Sequence, residues 1–168
     1  MGTSNNHCAA DTECKTGYSC IDDGVAGHQS WCARFCLQDN NCLGVGSRCV
    51  NDLTDNNGVP LSVSVCSNAC DPVAQSGCPT GMGCLPALDS TGNYTDCVYM
   101  GGKANGLACN SSTECRPGSI CVGNSTSGYT CQPVCATNGM NTCPTTQTCQ
   151  SFGTPLTIGS TIYGYCGT

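Results

Sequence analysis

Apolar side chains are sparse along this chain, and they gather in short β-forming stretches beside turn residues. Leu61-Ser-Val-Ser-Val65 and Thr161-Ile-Tyr-Gly-Tyr165 are the clearest stretches. Turn pairs recur at Asp23-Gly24, Asn57-Gly58, Thr91-Gly92 and Ser127-Gly128. A turn pair with β-formers on at least one flank predicts a β-hairpin. No apolar run approaches the ~20 residues needed to span a bilayer. The pattern predicts a mainly β chain with little or no helix and no membrane insertion.

Hairpins alone are marginal in water, and this chain has little with which to cover them. Leu, Ile, Val and Phe number only 24 of 168 residues, below the ~20% at which an ordinary apolar core is usual. Charged residues are 10%, too few for the signature of a disordered chain. The 20 cysteines resolve the conflict, because cross-links restrict the unfolded state in place of a core. So many cysteines belong in an oxidising compartment. An extracellular or cell-surface location is therefore expected. Met1-Gly2-Thr3-Ser4 leads straight into polar sequence, so the signal peptide expected of the precursor is absent from this start. The net charge of −6 argues against nucleic acid or anionic lipid as partner.

The cysteines fall into five quartets: Cys8/Cys14/Cys20/Cys32, Cys36/Cys42/Cys49/Cys66, Cys70/Cys78/Cys84/Cys97, Cys109/Cys115/Cys121/Cys131 and Cys135/Cys143/Cys149/Cys166. Within them the spacings are x5-x5-x11, x5-x6-x16, x7-x5-x12, x5-x5-x9 and x7-x5-x16. A small polar residue three places after the first cysteine (Asp11, Asp39, Ser112, Asn138) predicts a tight turn. Gly17, Gly81 and Gly118 in C-x2-G-x2-C, with Gly46 in the G-x2-C half, predict left-handed backbone; Thr146 is the exception. The last segment of each quartet is the hairpin. Five tandem modules, 8–32, 36–66, 70–97, 109–131 and 135–166, form an elongated array in which each contacts mainly its neighbours. Residues 98–108, with Gly101-Gly102 and Asn105-Gly106, read as a linker. They separate a three-module lobe, 1–97, from a two-module lobe, 109–168. Cys8 to Cys109 is 101 residues and Cys66 to Cys166 is 100, so modules 1 and 2 align with modules 4 and 5.

Each quartet allows three pairings. First-to-third with second-to-fourth is favoured, because it ties the loop to both hairpin strands. Adjacent pairing would leave two loops with nothing fixing them together.

The frame C-x2-[DS]-x2-C-x2-G-x2-C, clearest at 8–20 and 109–121, resembles the start of the Dickkopf N-terminal cysteine-rich region. It is still more similar to tandem cysteine-rich modules of secreted and surface proteins of environmental bacteria. Cys131-Gln-Pro-Val-Cys135 and Cys143-Pro-Thr-Thr-Gln-Thr-Cys149 have counterparts there. The resemblance spans 8–166 and implies a secreted disulfide-rich module. Nothing matches the second, receptor-binding domain of Dickkopf proteins, so that activity is not implied.

Candidate chemistry is thin. No two cysteines are closer than x3, which argues against zinc sites and C-x-x-C redox chemistry; no metal or cofactor is expected. His28 near Ser30 and Asp22/Asp23 has the residue types of a triad, but on a hairpin tip beside Trp31 it reads as an exposed histidine. Asp52-Leu-Thr-Asp55-Asn-Asn-Gly58 is oxygen-rich but fails the EF-hand pattern and reads as an Asx turn. Asn93, Asn110 and Asn124 open glycosylation sequons, at about the number chance supplies. Two phrases match, Gly58-Val-Pro-Leu-Ser-Val63 and Gly153-Thr-Pro-Leu-Thr-Ile158. They mark candidate self-association strands carrying Leu61, Val63, Val65, Leu156, Ile158 and Ile162, open to another chain if an edge is exposed. Otherwise they pair within their own hairpins. Trp31, Tyr18, Tyr94, Tyr129, Tyr163 and Tyr165 are candidate contact anchors. The expected function is a non-enzymatic structural or adhesive repeat acting through protein partners or self-association, with carbohydrate a candidate partner. The alternative is a secreted inhibitor or receptor ligand with constrained loops.

Overall fold

The computed structural model describes every residue except 5, 56, 90, 91, 140 and 141. The side chains of Asn51, Asp89 and Asn124 are likewise outside the described set. Thr91 of the expected Thr91-Gly92 turn therefore lies outside it. The described residues form ten strands: β1 Tyr18–Ile21, β2 Trp31–Cys36, β3 Cys49–Thr54, β4 Pro60–Cys66, β5 Met82–Asp89, β6 Gly92–Tyr99, β7 Ser119–Asn124, β8 Gly128–Ala136, β9 Thr148–Ile158 and β10 Thr161–Gly167. Helix among the described residues is limited to three 3₁₀ turns, Asp11–Glu13, Asp39–Asn41 and Ser112–Glu114. The fold is small, disulfide-rich and mainly β.

Every module is an antiparallel hairpin whose third and fourth cysteines are direct cross-strand partners: Cys20↔Cys32, Cys49↔Cys66, Cys84↔Cys97, Cys121↔Cys131 and Cys149↔Cys166. Cross-strand partners share a face, yet these are not bonded to each other. Each reaches into the preceding loop. The first cysteine bonds the third, as in Cys8–Cys20 and Cys109–Cys121, and the second bonds the fourth, as in Cys14–Cys32 and Cys115–Cys131. The same crossed pairing holds in the other three modules. The ladder already holds the hairpin, so the bridges are free to fix the loop across its base. Gly17, Gly46, Gly81 and Gly118 have φ of +87°, +90°, +88° and +79°, the left-handed turn that leads each loop into its first strand.

By contacts the chain divides into Met1–Ala69 and Cys70–Thr168. In the first unit the sheet order is β1-β2-β4-β3. β2 carries the last cysteine of module 1 and the first of module 2, and it pairs with β4 through Phe35↔Val65 and Cys36↔Ser64. Two modules thus share one sheet. In the second unit β7-β8-β10-β9 repeats this order, with β8 continuous through Cys131 and Cys135 and paired to β10 at Val134↔Tyr165. Module 3, the β5–β6 hairpin, is a separate two-stranded sheet in this unit. It touches β9, where the Asn93 amide donates to the Pro155 and Thr157 carbonyls at 3.4 and 3.0 Å.

Residues 98–108, expected as a linker, lie inside the second unit and are docked on module 4. The Gly101 and Lys103 N–H groups donate to the Thr113 and Glu114 carbonyls at 2.6 and 3.1 Å, and the Cys131 N–H donates to the Leu107 carbonyl at 3.0 Å. Lys103 forms a parallel bridge with Cys115 as Gly2 does with Cys14, so the duplication reaches back before the first cysteine of each half. Glycines suggested slack here. At Gly101 the reason is close approach: an added Cβ would collide with the Glu114 carbonyl.

The fifth turn carries no Asx-Gly or Ser-Gly pair. Ile158 pairs with Thr161 around Gly159-Ser160, with Gly159 at φ +60°. The two matching phrases are therefore not equivalent in place. Pro60–Val63 enters the second strand of its hairpin, whereas Pro155–Ile158 ends a first strand, beyond a register shift that leaves Leu156 opposite Tyr163 and Ser151 opposite Gly164.

Candidate functional site

Sulfur dominates the interior. Among the described residues, eleven of the eighteen buried hydrophobic ones are cysteines, and the first unit adds only Ala33 and Val65. In each module three sulfurs lie within 4.8 Å of one another, as at Cys8, Cys14 and Cys20. All are held in disulfides and no cysteine is free, so the clusters offer no thiolate ligand.

The small polar residue of the first segment does more than turn its own loop. Asp11 Oδ1 accepts the Cys20 N–H and the Ser19 hydroxyl, both at 2.7 Å. Asp39 Oδ1 accepts the Cys49 N–H at 2.9 Å, and Ser112 Oγ accepts the Cys121 N–H at 3.2 Å. Module 3 fills the same role with Gln75, whose Oε1 accepts the Cys84 N–H at 3.0 Å while Nε2 donates to the Pro72 and Cys84 carbonyls. Gln75 was invisible in the sequence because two extra residues displace it. In module 5 Asn138 binds the Ile162 N–H instead, at 3.0 Å. The clamp parallels the first-to-third bridge, so loop and strand are tied by sulfur and by hydrogen bond together.

These bonds act on the carboxyls. The Ser19 hydroxyl, then the Cys20 N–H, hold Asp11 below its ordinary pKa. The Val59 and Asn57 N–H groups do the same for Asp55, and Lys103, then the Asn110 N–H, for Glu114. A carboxyl depressed by folding stabilises above its unfolded pKa, and that stability is lost as pH falls through the folded value. Unfolding free energy should therefore be level above about pH 5 and decline below about pH 4, with a shallower decline in Asp11→Asn. Chemical denaturation across that range checks it; a flat wild-type profile would contradict the clamps.

The candidate strands part ways. Val65, Leu156 and Ile158 are 0%, 7% and 6% exposed, so they are not available to another chain. Leu156 and Ile158 form a cluster with Val134 and Tyr163, against which Val73, Ile120 and Phe152 pack. Val63 and Ile162 are half-buried and Leu61 is 45% exposed. Among the anchors, Tyr163 is buried, and that burial raises its hydroxyl pKa. Tyr18 lies under the Arg34 guanidinium, Tyr165 beside Phe152 with ring centroids 5.5 Å apart, and Tyr129 is exposed. Trp31 and Tyr94 are half-buried.

His28 Nδ1 lies 2.7 Å from Asp23 Oδ2 on the exposed β1–β2 loop, within the residue set read as a triad. Asp55 accepts the Asn57 and Val59 N–H groups at 2.8 and 2.9 Å, an Asx turn closing the β3–β4 hairpin. Of the sequons, Asn110 is exposed and the Asn124 side chain lies outside the described residues. The Asn93 nitrogen is committed to two carbonyls of β9. A folded chain from a glycosylating host should carry no glycan at Asn93; peptide mass mapping that found it occupied would contradict the β6–β9 contact.

Two grooves lie on equivalent parts of the two four-stranded sheets. One, in the first unit, measures about 670 Å³ and is lined by β1, β3 and their turns, including Asp22, Asp23, Asp52 and Asp55. The other, in the second unit, measures about 690 Å³ and is lined by β7–β10, including Ile120, Thr130, Gln132, Ser151, Phe152 and Tyr165. Among the described residues no charged side chain lines the second.

No family model, curated protein or solved structure matches the chain. The Dickkopf-type resemblance thus rests on cysteine and glycine spacing alone. Ten disulfides with no free cysteine are typical of an extracellular protein. Among the described residues no helix is long and apolar enough to cross a membrane.

Proposed function

We propose that this chain is a non-enzymatic structural or adhesive repeat of the extracellular space, serving as a spacer, surface-layer or filament subunit. One observation carries the reading. The same crossed bridges sit on the same hairpin base in all five modules, so the chain repeats a frame rather than presenting one specialised centre. Polar side chains in the loops are engaged in turns and cysteine clamps, which supports a structural role for them. Cross-links of this density slow opening under force and protease. Light scattering and electron microscopy of the oxidised protein test it. Polymers or defined end-to-end assemblies support it, and a monodisperse monomer argues against it.

A second reading, a secreted inhibitor or receptor ligand, is favoured by one loop. Leu37, Leu43 and Val45 are 83%, 62% and 71% exposed between bridges of module 2. A stapled apolar loop loses little entropy on binding. A monomer that binds a partner, and loses it in Leu37→Asp, would favour this reading over the first.

A further inference from the structure

We propose that the groove of the second unit, whose described lining carries no charged side chain, is a binding site for a neutral oligosaccharide. Strand register defines its floor. Ile120 is opposite Gln132 and Val122 opposite Thr130 across β7–β8, and Val134 is opposite Tyr165 across β8–β10. Alternation puts these side chains on one face, the face on which the Val134–Leu156–Ile158–Tyr163 cluster packs. The floor is therefore continuous with the unit's largest apolar cluster outside its cysteines, which makes it rigid.

On that floor Phe152 and Tyr165 stand side by side, ring centroids 5.5 Å apart and inclined by 40°. A sugar ring has an apolar C–H face that stacks on the negative face of an aromatic ring. Around the rings are neutral donors and acceptors, Thr130, Gln132, Gln147 and Ser151. Gln132 Nε2 donates to Thr130 Oγ1 at 3.1 Å, which orients the amide. Hydroxyls of a saccharide match such groups in both directions. The volume, about 690 Å³, falls within the ~300–1,000 Å³ of small-ligand sites. The sister groove fixes the charge of the ligand by contrast. It has the same place on the same sheet order, but four aspartates line it. With no charged side chain among the described residues of the walls, a highly charged ligand would lose hydration with no side-chain ion pair in return.

The inference goes beyond the scaffold reading, which is decided by assembly state and survives the loss of this groove. The test is an amide NMR titration of the intact oxidised protein with cellohexaose, chitohexaose and mannohexaose, and with a heparin hexasaccharide as the charged control. At least one neutral hexasaccharide should give saturable shifts confined to 118–134 and 147–168 at millimolar concentration or below, and the heparin fragment none there. Gln132→Ala, a polar position that leaves the apolar cluster intact, should weaken binding about tenfold. Phe152→Ala should weaken it at least as much, while Leu61→Ala beside the acidic groove leaves it unchanged. Absence of saturable shifts with all three neutral sugars overturns the proposal. So do affinities unchanged in both groove variants, or preferential binding of the heparin fragment.

Discussion

Reduction of the ten disulfides is expected to unfold Met1–Ala69 under native conditions, and to do so before Cys70–Thr168 loses its last structure. The reason is how little apolar surface other than cysteine each unit has left to hold it once the cross-links are broken. Besides cysteine, the described residues of the first unit bury only Ala33 and Val65 among apolar side chains, whereas the second unit retains Leu85, Val134, Leu156, Ile158 and Tyr163. Burial of one large apolar side chain contributes about 1.5–3 kcal/mol. Ordering each residue costs roughly 1–2 kcal/mol of backbone entropy. Four strands cannot stand on that balance. A single bridge gives a finer measure. Cys115–Cys131 joins two fully buried residues at a separation of 16, and replacing both with Ala should cost about 3 kcal/mol. Hydrogen exchange followed during stepwise reduction reads both effects. Native-like protection of residues 18–66 in the fully reduced chain would refute the account.

Ile158→Asp is expected to destabilise the second unit by about 4 kcal/mol or more, since it removes a buried side chain and places a carboxylate without a partner. Ile158 is 6% exposed in the cluster with Val134, Leu156 and Tyr163, and module 3 leans on the same strand through Asn93. Protection should therefore fall in β5 and β6 as well as in β9 and β10. Val63→Asp, at the matching phrase of module 2, should cost less than about 1 kcal/mol, because that side chain is half-buried. Denaturant melts of the two variants decide it. Equal costs would show that the phrases are equivalent after all.

The hairpins were legible from β-formers around turn pairs such as Asp23-Gly24, Asn57-Gly58 and Ser127-Gly128, but the turn at Gly159-Ser160 that closes β9 to β10 was not. The left-handed glycines were legible too, since Gly17 and its equivalents have no Cβ to oppose the turn. The polar residue after the first cysteine was recognised in four modules, but its target was not. Asp11 bonds an amide nine residues away, and a local turn rule looks only two or three residues ahead. Composition made 98–108 look slack, but the segment is docked, and Gly101 is where the chain presses against the Glu114 carbonyl of module 4. The neutral groove had no linear signature, because Gln132 and Phe152 come from strands that meet only in the sheet.

Sequence by itself determined the module, its number and its dependence on sulfur, because cysteine spacing and turn residues act over stretches short enough to read along the chain. Tertiary structure alone decided how modules join. β2 and β8 each run through two modules, and each pairs with the second strand of the next hairpin, while module 3 stands apart and rests on β9. Strand pairing between modules depends on which backbone edges remain open once each hairpin has closed, and no run of residues records that. The same pairing brings distant side chains onto one face, and so chooses which strand is covered and which groove is left bare.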